Sequence, residues 1–222
     1  MEQEGVIKFN CQFLPTPAVP LPGWQTISAW RQVLYRLQLI GQDPERYQGL
    51  GFGNISWRLP PLADAPTDRP FAISGTQTGG LAQLLPEHYA QVLQCDSAAN
   101  FVRAQGPVKP SSEALTHASL YACDQAVQVV MHVHSPQLWQ QGAALGLPLT
   151  AADVAYGTPQ MAAEVECLLA DEPQRRFGIF LMGGHEDGVV AFGASAEEAG
   201  TTLVRWLARA LTLPFEIPPH SP

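Results

Sequence analysis

The chain has 222 residues, a net charge of −8 and only two lysines, Lys8 and Lys109. That length suits one generous domain with a real core, and an acidic balance without any basic run argues against a nucleic-acid partner. Cys11, Cys95, Cys123 and Cys167 form no Cys-x-x-Cys pair and read as separate reduced thiols, while the absence of a leader pattern or a long apolar run predicts a cytoplasmic protein without membrane contact.

Residues 1–23, with prolines at 15, 17, 20 and 22, read as an irregular segment. A helix is predicted from Trp24 to Ile40, striped by Ile27, Trp30, Leu34 and Leu37 and stopped by Gly41. Strands near 52–58 and 70–74 flank a proline-rich loop at 60–70 that is too polar for the core. Tyr89–Cys95 and Asn100–Ala104 read as a hairpin. Helices follow at 111–122, 136–144 and 158–170, then a hairpin over 177–193 and a last helix from Ala196 to Leu211. This predicts one domain over 24–212 and a proline-rich tail at 213–222. Hairpins mixed with helices point to helices packed around a largely antiparallel sheet.

The run Val129-Val130-Met131-His132-Val133-His134-Ser135-Pro136 carries the chemistry. It reads as an apolar strand ended by proline, and residues two apart on a strand face the same way. Two imidazoles at that spacing can share one metal ion such as zinc, or can be two solvent-facing strand residues. Upstream, Lys109-Pro110-Ser111-Ser112-Glu113 opens a helix. Ser111 or Ser112 is the predicted N-cap and Glu113 falls in the first turn. A helix start with serines beside it can also hold a phosphate. Downstream, His185 sits at the tip of the 177–193 hairpin, after Gly183-Gly184. Gly53-Asn54 before one strand and Ser74-Gly75 after another offer backbone N–H groups that an anion can approach closely.

Taken in order, these segments resemble the class II aldolase/adducin family. The matching pieces are G-N-I-S (53–56), I-S-G-T (73–76), K-P-S-S-E with H and Y following (109–113, 117, 121), V-V-M-H-V-H-S-P (129–136), Y-G-T-P (156–159) and L-M-G-G-H with its return strand (181–193). They span residues 50 to 193, and the pattern lies nearest the fuculose-1-phosphate aldolase branch. The resemblance implies a three-layer α/β/α sandwich around a central, largely antiparallel mixed sheet. It implies zinc, or another divalent transition metal, on His132, His134 and His185, with Glu113 as catalytic acid/base. Gly53, Asn54, Ser74, Gly75, Ser111 and Ser112 would hold the substrate phosphate. The implied activity is a lyase that makes or cleaves a C–C bond in a ketose phosphate through a metal-stabilised enediolate. A dehydratase, an epimerase or a non-catalytic adducin-like binding module are the alternatives. The implied partners are a small sugar phosphate and further copies of the chain, as a tetramer.

The chain also departs from the family pattern. Its third histidine is followed by Glu186-Asp187-Gly188, where the family usually reads Gly-His-Gly, and the stretch from Leu147 to Tyr156 is short. That stretch carries no counterpart of the tyrosine that fuculose-type aldolases lend to a neighbouring subunit. His117, four residues after Glu113, reads as a packed helix histidine or as a support for the site; His88 and His220 read as solvated.

Overall fold

A computed structural model describes residues 5–60 and 70–214. The proline-rich loop expected at 60–70 lies almost wholly outside the described residues, as do His220 and most of the expected tail.

In chain order the elements are β1 (Asn10–Pro15), α1 (Trp24–Arg36), β2 (Gly41–Gln42), β3 (Gly51–Phe52), β4 (Asn54–Arg58), β5 (Phe71–Ser74), β6 (Tyr89–Asp96), β7 (Phe101–Gly106), α2 (Ala114–Cys123), β8 (Val129–His134), α3 (Pro136–Leu145), α4 (Pro159–Ala170), α5 (Glu172–Arg175), β9 (Ile179–Leu181), β10 (Gly188–Gly193) and α6 (Ala196–Ala210). Eight strands form one sheet in the order β1-β7-β6-β5-β4-β8-β10-β9. Among the described strands of this sheet the β1–β7 pairing is parallel, and the neighbours from β7 to β9 all run antiparallel.

The two-residue period of the strands divides the core into two layers. Met131 and Val133 of β8 face a cluster with Ile27 and Leu34 of α1, Leu138 of α3 and Leu203 of α6. Val130 faces the other cluster, with Leu115 and Leu120 of α2 and Met161 and Val165 of α4. The result is the α/β/α sandwich with a largely antiparallel mixed sheet that the motifs implied. His132 and His134 share the Val130 face, so both lie on the α2 side of the sheet.

Several details differ from the sequence reading. Residues 10–15, expected to be irregular, form edge strand β1, in which Cys11 and Phe13 are the half-buried positions. An edge strand tolerates the proline at its end because one side of its backbone needs no partner. Helix α1 ends at Arg36 instead of running to Ile40. Gln38 takes φ 59, and the Gln38 N–H to Tyr35 and Leu39 N–H to Leu34 bonds, both 3.0 Å, close the helix. Leu39 and Ile40 are buried from this turn, which is why the apolar stripe outruns the helix. The strand expected at 52–58 breaks at Gly53, whose φ is 76. Helix α2 starts at Ala114, with Glu113 itself as N-cap and neither Ser111 nor Ser112 in that place.

Candidate metal centre

His132 and His134 end β8 and are 0% and 1% exposed. Their Nε2 atoms are 3.2 Å apart. The main chain around them is held on both sides: Asn54 of β4 pairs with His132, Gly188 of β10 pairs with His134, and the His134 N–H donates to Leu39 O at 2.9 Å. His132 Nδ1 lies 3.3 Å from Val189 O. A carbonyl only accepts, so Nδ1 carries the proton and the Nε2 lone pair faces the site.

His185 arrives from the turn between β9 and β10. Its N–H donates to Met182 O at 3.2 Å and its carbonyl accepts from Gly188 N–H at 2.9 Å. The glycines before it are sterically required: a Cβ on Gly183 would meet Thr150 O at 2.3 Å and one on Gly184 would meet Val154 O at 2.1 Å. His185 thereby comes within centroid distances of 5.1 Å from His132 and 4.7 Å from His134. One nitrogen from each ring lies within 4.8 Å of the others. Burial pushes the pKa of His132 and of His134 well below the usual histidine range, and electrostatic coupling to His185 acts in the same direction. Both are neutral at pH 7, the form in which imidazole ligates metal.

Glu113 stands at the head of α2, 1% exposed, with Oε1 3.5 Å from His185 Nδ1. Ser111 holds this corner: its Oγ accepts from Glu113 N–H at 3.3 Å and its carbonyl from Ala114 N–H at 3.1 Å. Ser112 is buried beside it, its carbonyl so close that only glycine fits at 157.

The residues expected to hold phosphate divide by what the fold already asks of them. Gly53 is a cradle, since a Cβ there would lie 2.8 Å from Ile40 Cγ1 and 3.1 Å from His132 O. Asn54 is buried and its Oδ1 meets no hydrogen-bond partner among the described residues. Ser74 Oγ accepts from Ile55 N–H at 3.1 Å, leaving its own proton to donate. The Gly75 N–H, expected to face an anion, instead donates to His88 O at 2.9 Å. His88, expected to be solvated, also accepts from Leu85 N–H through Nδ1 at 2.9 Å. His117 is fully buried, its Nδ1 2.7 Å from Ser56 Oγ, which is itself 2.7 Å from the Tyr121 hydroxyl.

Several neighbours make contacts with the site that the sequence does not show. Tyr156 stacks on His185 at 4.5 Å, and Lys8 Nζ sits 3.5 Å from the centroid of the same tyrosine ring. Lys8 also donates to Tyr156 O at 3.1 Å. Tyr47 meets His134 edge-on at 4.5 Å. Of the acidic pair after His185, Glu186 is exposed and Asp187 is buried against Tyr47. No local pattern marks such contacts; the Y-G-T-P motif is the one signal that could have drawn attention to Tyr156.

Three convergent histidines beside a buried glutamate in an α/β/α domain make a donor set that could hold a divalent metal ion. The chain belongs to the family described as "Class II Aldolase and Adducin N-terminal domain", whose model matches residues 44–210. Among solved structures it is similar to a sugar-phosphate aldolase from Thermotoga maritima, with 14% identity, TM-score 0.61, and 85% of this chain and 91% of that one covered. The L-fuculose-1-phosphate aldolase from Thermus thermophilus has 17% identity, TM-score 0.58 and the same coverage of 85% and 91%. YgbL from Escherichia coli, whose activity is given only as one of aldolase, epimerase or decarboxylase, has 19% identity, TM-score 0.60 and coverage of 85% and 86%. At these identities the likeness establishes the fold. No curated protein gives a significant sequence match. Among the described residues no helix is long and apolar enough to cross a membrane.

Proposed function

We propose that this chain is a divalent-metal-dependent lyase of the aldolase type, acting on a carbon–carbon bond of a ketose phosphate. The observation that carries this reading is the meeting of three buried imidazoles with the buried carboxylate of Glu113. Three neutral nitrogen donors fit zinc and leave coordination positions for a substrate. When bound there, the ion supplies Lewis acidity to a carbonyl oxygen and the hydroxyl beside it.

The chain's own residues do the rest. The Glu113 carboxylate takes and returns the proton at the carbon beside the carbonyl, from a position fixed by Ser111 and the first turn of α2. The hydroxyls of Ser74, Ser111 and Ser112 and the amide of Asn54 are the donors proposed for the phosphate. Gly53 and Gly75 give it room. Holding substrate in one orientation contributes several kcal/mol, about 7 or more in favourable cases. The assembly proposed is a homo-oligomer, a tetramer by family resemblance, which sedimentation tests.

The deciding screen offers ketose 1-phosphates for cleavage, and dihydroxyacetone phosphate with aldehydes for synthesis, with and without zinc. Metal-dependent turnover that splits the carbon chain supports the lyase. A product that keeps every carbon points to a dehydratase or epimerase. A protein that binds no metal and ignores chelator is an adducin-like binding module.

A further inference from the structure

Arg31 lies on α1, across the sheet from Glu113, and is 1% exposed. A charge that deep ordinarily sits against an acid. Among the described residues Arg31 meets none. Its guanidinium donates instead to three main-chain carbonyls: Leu81 O, Thr78 O at 3.1 Å and Gly79 O at 2.7 Å. Burial lowers its pKa to about 10, which leaves it cationic at neutral pH.

The segment it grips is the turn Thr78–Leu81, closed by the Leu81 N–H to Thr78 O bond of 3.1 Å. This turn touches both loops assigned to the phosphate. Thr78 Oγ1 donates to Gly75 O at 2.8 Å. Gly79 lies against the other loop: a Cβ on Gly51 would come within 3.2 Å of Gly79 N, and one on Gly79 within 2.7 Å of Phe52 N. One guanidinium therefore fixes the spacer between residues 51–54 and 74–76. The chain's net charge of −8 repels anions at long range, so attraction must come from a local source.

We propose that Arg31 is a positioning residue for a tetrahedral oxyanion of the phosphate-monoester class, setting the spacing of the Gly53-Asn54 and Ser74-Gly75 loops and carrying the buried positive charge behind them. The proposal rests on the assignment of those loops to the substrate phosphate.

The probe is inorganic phosphate, titrated by calorimetry into the zinc-loaded full chain. Arg31→Met removes charge and fork, Arg31→Lys keeps charge alone, and Thr78→Val removes only the tie to Gly75. Phosphate affinity is expected to fall roughly tenfold in Arg31→Met and by a smaller factor in Thr78→Val, with Arg31→Lys between parent and Met. Zinc stoichiometry stays unchanged, and with substrate the loss falls on KM and not on kcat. If Arg31→Met does not fold, Thr78→Val and Arg31→Lys decide. Folded variants that bind phosphate as tightly as the parent overturn the role of Arg31 while leaving the phosphate site standing. A parent chain that binds no phosphate at millimolar concentration overturns both.

Discussion

The Tyr47 hydroxyl donates to Asp187 Oδ2 at 2.6 Å, joining the loop before β3 to the turn that carries His185. Arg46 completes the group, 3.6 Å from the same oxygen. Burial, then the Asp187 charge, raises the Tyr47 pKa, so the phenol keeps its proton and is the donor. Tyr47, Gln48 and Asp187 take φ values of 49, 59 and 62. Non-glycine residues hold left-handed backbone like this only where the surroundings enforce it, and functional sites are where such strain gathers.

Tyr47→Phe keeps the ring against His134 and removes the bond to Asp187. A hydrogen bond to a buried carboxylate contributes about 1.5–3 kcal/mol, so urea unfolding should show a loss of that order. Zinc affinity, read by competition with a chromogenic chelator, should weaken about tenfold because the tie steadies both histidine-bearing segments. An unchanged zinc affinity would separate this cluster from the metal centre.

Gly53→Ala tests the cradle. The backbone at φ 76 disfavours any Cβ, and Ile40 and the His132 carbonyl occupy its space. The variant should lose about 1–3 kcal/mol of stability in denaturant and bind phosphate more weakly than the parent. A variant as stable as the parent would show that the loop relaxes freely.

His117 predicts a pH effect on stability. Burial lowers its pKa to about 3, against roughly 6.5 for an unfolded histidine. Above pH 6.5 neither state binds the proton and His117 adds no pH dependence. As the pH falls from there toward 3 the unfolded chain protonates first, and stability drops by about 1.4 kcal/mol per pH unit from this residue. His117→Asn places an amide where Nδ1 meets Ser56 and removes the titration. Denaturation at pH 7 and at pH 4.5 should therefore show the gap between parent and variant shrinking with acid; parallel curves would contradict the buried neutral ring.

Glu113→Gln should retain fold and zinc and lose turnover by about a hundredfold or more, checked by circular dichroism, metal analysis and the cleavage assay. Equal turnover would remove Glu113 from proton transfer.

How far the chain could be read from sequence depended on the range of each contact. The two-residue strand period places His132 and His134 on one face, and the hairpin with its two glycines puts His185 at a turn. Both are local patterns. That the three rings meet depends on β10 pairing with β8, a tertiary fact carried only by the order of the motifs. Tyr47 and Asp187 are 140 residues apart, and Lys8 and Tyr156 are 148 apart, so no window of sequence shows either pair. The proline-rich start concealed β1 because proline is compatible with a strand only at an edge, and edges are assigned by the finished sheet. The overrun of α1 has the same origin: Leu39 and Ile40 are core residues reached from a turn, and apolar spacing alone does not distinguish turn from helix. Arg31 is invisible for a different reason, since its partners are carbonyls, which every residue carries.

Whether His132, His134 and His185 together hold one divalent ion is tested most directly by zinc K-edge absorption spectroscopy of the zinc-loaded protein. The prediction is one ion per chain with three imidazole nitrogens at about 2.0–2.1 Å and the remaining positions filled by oxygen, a signal lost in His132→Ala. A shell containing sulfur, or a spectrum unchanged by His132→Ala, would contradict it.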